Sequence, residues 1–109
     1  PRASGTLEAH YAPDAKVRLM DARALQTALD LLGADARAMA VYARFIPRTP
    51  SAQVLCRRMP DDAAATAQQL FAVLRDFDAA GVSLIWVETP PDTPEWAGVR
   101  DRLQRAAAS

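Results

Sequence analysis

The sequence predicts a small three-layer α/β domain of Rossmann-like type, with a mostly parallel sheet of about four or five strands. Helical and extended patterns alternate along the chain, as in domains with helix layers on both faces of a sheet. Residues 82–87 (VSLIWV) are nearly all apolar, and a strand without a polar face is expected to be covered on both sides. A helical pattern that reaches this strand through Gly81 is half of a right-handed crossover unit.

The helical pattern before this strand has one apolar stripe. With about 3.6 residues per turn, the apolar side chains after residue 61 recur on one face, which predicts burial against the sheet. The stripe comprises Ala63, Ala67, Leu70, Leu74 and Phe77, with Phe71 at its edge. Asp61 or Asp62 can cap the first turn, and Gly81 can adopt the left-handed conformation that ends the helix.

The first part of the chain predicts two strands with a helix between them. Residues 16–20 alternate in polarity, which indicates a strand near an edge with one wet face. Asp21 is the expected N-cap of the helix, and Gly33 is its expected end. The predicted buried positions of this helix are Ala24, Leu25, Ala28, Leu29 and Leu32. Residues 38–43 (AMAVYA) are apolar enough for an interior strand.

A loop, a short strand and a last helix complete the predicted order. Residues 44–53 contain two prolines and are expected to form a loop, followed by a third strand at residues 54–56. Thr93 can begin the last helix with Pro94 at its first position; capping by Asp92 is the competing register. The predicted buried side chains of the last helix are Trp96, Val99, Leu103 and Ala106.

Length and composition place the chain among single globular domains. It has 109 residues, half of them hydrophobic, which supports one buried core rather than disorder. The formal net charge is zero, which argues against a general binder of nucleic acids or membranes. No apolar run approaches the ~20 residues of a membrane span, and no signal peptide is visible. Because the chain begins at Pro1 without Met, we expect it to be a piece of a longer protein.

The single cysteine and the single histidine limit the chemistry. Cys56 has no disulfide partner and lies in an apolar run, so we predict that it is buried and inert, in a cytoplasmic protein. One His and one Cys in distant elements do not predict a metal site, which needs several converging ligands. The first strand runs into residues 20–23 (MDAR) without a glycine, which argues against a phosphate-binding turn.

The arginines cluster in one part of the chain. Between residues 36 and 60 there is no acidic residue, whereas five arginines fall there. One interpretation is a solvated face; the other is a docking surface for an acidic partner domain or tRNA, because guanidinium groups pair with carboxylate and phosphate. The candidate docking residues are Arg44, Arg48, Arg57 and Arg58. Few aromatic side chains interleave with them, which argues against direct nucleic-acid binding by stacking.

Asp78 lies in the last turn of the central predicted helix, where the helix dipole disfavours a negative charge by ~0.3–1 kcal/mol. A nearby cation would offset this cost. Arg75, three residues earlier, is one candidate partner; Arg100 or Arg102 of the last helix is the alternative. We predict a structural clip between the helix and its neighbour, formed by Arg75, Asp78 and Arg102.

Three segments together resemble a known family. Residues 70–75 (LFAVLR) with Asp78, followed by Gly81 and the strand to Glu88, form the central segment. Residues 10–13 (HYAP) lie near one end, and residues 101–103 (DRL) with a pair of alanines lie near the other. In this order they resemble the C-terminal domain of the long-form threonylcarbamoyl-AMP synthases, the two-domain members of the YrdC/Sua family of translation factors.

The resemblance implies a function for the parent protein. Such an enzyme joins L-threonine, bicarbonate and ATP into threonylcarbamoyl-adenylate and releases pyrophosphate, for N6-threonylcarbamoyladenosine modification of tRNA. ATP and Mg then belong to the parent enzyme, and no cofactor and no catalytic residue are expected in this fragment. We expect residues 14–109 to be an accessory domain, inactive alone, whose partner is the N-terminal catalytic domain of the same chain. The tRNA-modification machinery would be an indirect partner, and no membrane is implied.

The resemblance also assigns a role to residues 1–13, an extended arm that punctuating residues such as Gly5 predict. In the family, this interdomain linker folds back over the active site of the catalytic domain. The matching positions are Gly5, His10, Tyr11 and Pro13, whereas Ser4, Thr6 and Ala9 depart from the usual pattern. His10 and Tyr11 would close over a bound adenylate; the alternative is a simple tether with Tyr11 packed against one domain.

Two other functions stay open at the level of sequence. A stand-alone interaction module would use the basic region at residues 37–58, and its binding would depend strongly on salt. A small nucleotide-binding domain would use the crevice at the carboxyl ends of the strands, near Asp21, Arg44 and Glu88.

Overall fold

A four-stranded parallel sheet lies at the centre of the structure, a computed structural model that describes residues 12–108. The strands are β1 (Lys16–Met20), β2 (Met39–Ala43), β3 (Val54–Arg58) and β4 (Leu84–Glu88), in the spatial order β1-β4-β2-β3. The helices are α1 (Ala22–Leu32), α2 (Ala63–Ala79) and α3 (Ala97–Ala108), with 3₁₀ turns at Gly33–Asp35 and Pro94–Trp96. The α/β fold class and the parallel sheet predicted from the sequence are therefore confirmed.

Strand β4 is interior, between β1 and β2. Val17 of β1 and Ala40 of β2 both pair with Ile85. Every residue of β2 is buried, and so are the last four residues of β4. The apolar run therefore forms the two-sided strand that the sequence predicts, while β1 and β3 lie at the edges of the described sheet.

Helices cover both faces of the sheet. On one face, α2 and α3 pack on the side chains of Val17, Ala40, Tyr42, Ile85 and Val87. On the other face, Leu25 and Leu29 of α1 pack against Met39, Val41, Ala43, Val54 and Trp86. Two cores separated by one sheet make the three layers. Two helices cover one face and a single helix covers the other, so part of the α1 face is less completely covered.

The helix ends follow the local sequence. The carboxylate of Asp21 accepts a hydrogen bond from the Ala24 N–H at 2.7 Å, and Asp62 caps α2 through the Ala65 N–H at 2.8 Å. Gly33 (φ 63°) and Gly81 (φ 83°) have positive φ just after α1 and α2, a backbone conformation that favours glycine. Of the two aspartates that could cap α2, Asp62 has this role.

Helix α2 buries most of the predicted stripe, with Ala67 partly buried, and further residues beside it. Leu70 and Leu74 are fully buried, as is Val73, which the stripe did not include. Thr66 is also fully buried, and its hydroxyl donates to the backbone oxygens of Pro60 and Asp62 at 3.2 and 3.0 Å. The buried arc is wider than predicted because the helix contacts the sheet on one side and α3 on another.

Some burial predictions are wrong. Ala24 is exposed, and Leu32 is 41% exposed, because α1 contacts the sheet mainly through Leu25 and Leu29. Cys56 is exposed, although its apolar neighbours predicted burial, because β3 is an edge strand that no helix covers completely. The third strand is also longer than predicted. It runs to Arg58 because its ladder with β2 extends to the end of that strand.

Two details of the last helix differ from a simple continuous helix. Thr93 occupies the N-cap position before Pro94, as one predicted register requires, but the segment begins as a 3₁₀ turn. The α-helix starts only at Ala97. All four predicted buried residues, Trp96, Val99, Leu103 and Ala106, are buried.

Candidate functional site

At β4 and β2, the carboxyl edge of the sheet is the position where an open parallel sheet usually has its ligand crevice. After β4 the chain leads to α3, which packs on β1, whereas the loop after β2 leads to β3 on the opposite side. Connections that diverge in this way leave the usual ligand crevice of an open parallel sheet. The carboxylate of Glu88 and the guanidinium of Arg44 lie there. Their paired Nη2 and Oε2 atoms are 2.8 Å apart.

Glu88 also binds the backbone of β2. The β2–β4 ladder ends at the pair Tyr42–Val87, and Glu88 Oε1 accepts the next free N–H, that of Arg44, at 2.7 Å. The Glu88 side chain is only 9% exposed and that of Arg44 is 26% exposed. The Arg44 guanidinium carbon lies 6.0 Å from the centre of the Trp96 ring, at the outer limit of a cation–π contact. The pair therefore ties two central strands to the start of the last helical segment.

The charged side chains at this position are already bound within the domain. Arg44 and Glu88 bind one another, and the Asp21 carboxylate caps α1. Arg44 Nε is buried without a hydrogen-bond partner in the described part of the chain, which costs free energy. Asp21, Arg44 and Glu88, which the nucleotide-binding alternative would use, all have partners within the domain.

The candidate docking arginines divide into two groups. Arg44 is engaged at the crevice, whereas Arg48, Arg57 and Arg58 are exposed. Arg57 pairs with Asp76 at 3.3 Å and Arg58 with Asp61 at 3.4 Å, and exposed pairs of this kind are held only weakly.

The backbone of Arg48 is fixed by Gln26. The side-chain oxygen of Gln26 accepts the Arg48 N–H at 2.9 Å, and the side-chain nitrogen donates to the Arg48 carbonyl at 2.7 Å. This pair of hydrogen bonds ties the loop at residues 44–53 to α1. The loop is therefore held in place beside β3.

Exposed apolar side chains accompany the arginines at β3. A groove of about 190 Å³ is lined by Phe45, Ile46, Pro47, Cys56, Arg57 and Arg58. Ile46 is 80% exposed, and Leu55 on the other face of the strand is 41% exposed. We call the set Ile46, Leu55, Cys56, Arg57 and Arg58 the β3-edge surface. The arginine run predicted part of this surface, but the apolar members could only be found from the position of β3 at the edge.

Cys56 within this surface is accessible but not activated. Partial burial of its thiol raises the pKa of Cys56 above the ordinary value of 9.0, which keeps it protonated at neutral pH. The prediction that it is inert agrees with this direction of the pKa shift, although the predicted burial of the residue was wrong.

Asp78 binds the start of the domain. Its Oδ2 atom accepts the Asp14 N–H at 3.1 Å, and its Oδ1 atom accepts the Ala15 N–H at 3.2 Å. These two donors offset the unfavourable dipole at the end of α2. The predicted partners Arg75 and Arg102 stay a prediction, whereas the alternative Arg100 pairs with Asp92.

The arm lies mostly outside the described residues. Gly5, His10 and Tyr11 precede residue 12, so the predicted gating positions are not placed. Pro13 is described, and it is buried. The arm therefore joins the domain at a buried proline. The next two N–H groups, those of Asp14 and Ala15, donate hydrogen bonds to Asp78.

Two further properties concern residues 12–108. Within that range, no group of three or more His, Cys, Asp or Glu side chains could hold a metal ion. The helices of the same range include none that is long and apolar enough to cross a membrane.

Fold and site together define a small three-layer α/β domain with an ion pair at the carboxyl edge of its parallel sheet. Residues 1–108 match the family model "Threonylcarbamoyl-AMP synthase, C-terminal domain", and the chain belongs to this family. The resemblance found in the sequence is thereby confirmed. Among curated protein sequences, no significant match is found.

Two solved structures share the fold. Sua5 of P. abyssi, crystallised with L-threonine, is 23% identical with a TM-score of 0.72; 91% of this chain is covered. The C-terminal Sua5 domain of a Pyrococcus horikoshii protein is 20% identical with a TM-score of 0.64, and 85% of this chain is covered. The matched region is 93% of the P. horikoshii chain but only 30% of the P. abyssi chain. The chain thus spans less than a third of the length of the P. abyssi protein.

Proposed function

We propose that this chain is the accessory domain of a two-domain threonylcarbamoyl-AMP synthase and acts on an N-terminal catalytic domain of the same polypeptide. The family match over residues 1–108 carries this proposal. The parent would form threonylcarbamoyl-adenylate and pyrophosphate from L-threonine, bicarbonate and ATP with Mg, in the cytoplasm. Its product would serve N6-threonylcarbamoyladenosine modification of tRNA.

The domain itself is proposed to be catalytically silent. Arg44 and Glu88 at the carboxyl edge of the sheet bind one another, and the first strand is followed by no phosphate-binding glycine turn. These two features support a binding site for ATP in another part of the parent protein. The contribution of this domain would be to position the linker at residues 1–13.

The proposed role of the linker is to close the catalytic pocket. Lids shield reactive intermediates from water, and threonylcarbamoyl-adenylate contains a labile carbamate. His10 and Tyr11 are the proposed closing groups, since imidazole and phenol can both hydrogen-bond an adenylate. Pro13 ends the linker where the chain becomes packed against the domain.

Pyrophosphate release tests the accessory role of the domain, and the yield of adenylate tests gating by the linker. With threonine, bicarbonate and ATP, the full-length protein should turn over and the 109-residue chain alone should not. Turnover by the chain alone would refute the accessory role.

In the full-length protein, His10→Ala and Tyr11→Phe should lower the yield of adenylate per pyrophosphate released, because open pockets lose the intermediate to water. Arg105→Ala, on the exposed side of α3, is the control, and equal yields in all variants would refute gating.

A second function is favoured by one observation, the apolar groove beside exposed arginines at the β3 edge. Edge strands with accessible apolar side chains can accept a partner segment, and guanidinium groups favour an acidic one. If the domain is such an interaction module, its binding to an acidic partner should weaken steeply as the salt concentration rises.

The test compares charge reversal at two places. Arg57→Glu with Arg58→Glu should abolish retention of an acidic protein partner, whereas Arg105→Glu on α3 should not. If both variants bind equally, the β3-edge surface has no such role. If the partner is instead RNA, phosphate competition will weaken binding and acidic peptides will not.

A further inference from the structure

We infer that Asp78 is the anchor of the N-terminal arm, a positioning residue that fixes the point at which the arm leaves the domain. The anchor itself rests on contacts within residues 12–108, whereas its consequence for catalysis rests on the proposed gating function. Asp78 is a residue of α2, and the N–H groups that it binds lie at positions 64 and 63 residues earlier in the chain. Nothing local in α2 requires this contact.

The geometry is that of a two-point clamp. Each carboxylate oxygen accepts a different backbone N–H, one from Asp14 and one from the adjacent Ala15. Two bonds to consecutive peptide groups restrain both the position and the direction of the chain, which one bond would not do. Because the acceptor is ionised, these bonds are stronger than neutral ones.

Packing on either side completes the clamp. Pro13 is buried immediately before it, and Ala15 is only 6% exposed. The next N–H, that of Lys16, donates to the carbonyl of Ser83 at 3.0 Å and begins the β1–β4 ladder. The chain is therefore held continuously from Pro13 into the sheet, and Asp78 supplies one side-chain contact at each of residues 14 and 15.

The position of the clamp fixes where the arm begins. Asp14 and Ala15 precede β1, and Asp78 lies in the last turn of α2, so all three are at the amino edge of the parallel sheet. The crevice with Arg44 and Glu88 is at the carboxyl edge, about 15 Å away across five-residue strands. The arm thus starts from the edge opposite the usual ligand site.

Backbone exchange tests the anchor directly. In the full-length protein, amide hydrogen exchange at Asp14 and Ala15 should become about tenfold faster in Asp78→Ala, because both acceptors are lost. Asp78→Asn keeps one acceptor oxygen, so its exchange rates should lie between those of the unsubstituted protein and those of Asp78→Ala. Asp76→Ala, in the same turn but paired with exposed Arg57, is the matched control and should leave both amides unchanged.

Exchange at Ile85 and Val87 separates a local effect from general loss of stability. These interior strand amides should keep their protection in Asp78→Ala. Unchanged exchange at Asp14 and Ala15 would overturn the anchor. A uniform increase over the whole sheet would also overturn it, because Asp78 would then be a stability residue only.

A distance measurement tests the positioning role. Spin labels at Thr6→Cys and Gln104→Cys, in a Cys56→Ser background, should give a broader distance distribution in Asp78→Ala than with Asp78 intact. An unchanged distribution would overturn the inference that the anchor directs the arm. If the distribution broadens but the yield of adenylate per pyrophosphate stays constant, the anchor stands and the gating function fails.

Discussion

The ion pair of Glu88 and Arg44 offers the sharpest test of what holds the central strands together. Glu88→Ala removes both acceptors at once. It leaves the Arg44 guanidinium without its anion and the Arg44 N–H without its acceptor beyond the end of the β2–β4 ladder. Because the lost carboxylate is only 9% exposed, water reaches these groups poorly.

The magnitude follows from the two hydrogen bonds and their burial. A hydrogen bond to a charged group contributes about 1.5–3 kcal/mol, and breaking a buried pair by removing one partner costs about 3–5 kcal/mol. Since Arg44 is 26% exposed and regains some hydration, we expect a loss of about 2–4 kcal/mol in the free energy of unfolding. For a chain of this size the melting temperature should fall by roughly 8–16 °C.

Chemical denaturation with a matched surface pair provides the assay. Asp61→Ala removes the partner of Arg58 in a pair that is 3.4 Å apart and more than half exposed, so its cost should stay within ~0.5 kcal/mol. Glu88→Gln, which retains one acceptor, should lie between the two variants. If Glu88→Ala and Asp61→Ala shift the denaturation midpoint equally, the crevice pair does not stabilise the sheet and the reasoning fails.

Three other predictions concern the core and the β3 edge. Leu74→Ala should cost ~2–5 kcal/mol in denaturation because it leaves a cavity under α2, while Arg105→Ala should stay within ~0.5 kcal/mol; equal costs would mean that the helix phase is wrong. Burial raises the pKa of Tyr42 above 10.0, although a Gln69 hydrogen bond and the Arg57 charge oppose the shift. The stability from its neutral phenol is therefore fully present below pH 10.0 and is lost as pH rises through the folded-state pKa. Tyr42→Phe should flatten that alkaline decline of the melting temperature, and an unchanged slope would contradict this. The Cys56 thiol should react with a disulfide reagent in the folded protein, but more slowly at pH 8 than a free thiol, because its pKa is raised. A thiol that reacts only after unfolding would contradict the exposed position.

Local features of the chain are those that the sequence predicts well. The caps by Asp21 and Asp62, the positive-φ glycines and the buried stripe of α2 depend on residues within one or two turns of each other. The same holds for the interior strand at Leu84–Glu88, whose lack of a polar face is visible in the sequence. Short-range pattern and propensity are sufficient for such elements.

The errors occur where the position of a strand in the sheet matters. Cys56 belongs to a run that is as apolar as an interior strand, yet its strand is at the edge and the residue is exposed. The arginines of the basic region also divide according to strand position, because Arg44 binds Glu88 while Arg57 and Arg58 are exposed. Strand order decides burial, and the local sequence of β3 does not contain that order.

Most of the helices and strands, their caps and the family can be predicted from the chain, because each depends on residues that are close together or on an ordered set of short motifs. The assembled fold places β4 between β1 and β2, which no local pattern specifies. It also decided that Glu88 binds Arg44, 44 residues away, and that Asp78 binds Asp14, 64 residues away. Such contacts depend on how the whole sheet assembles, since a carboxylate can pair with any donor that the fold brings to it and its own neighbours in sequence do not specify which.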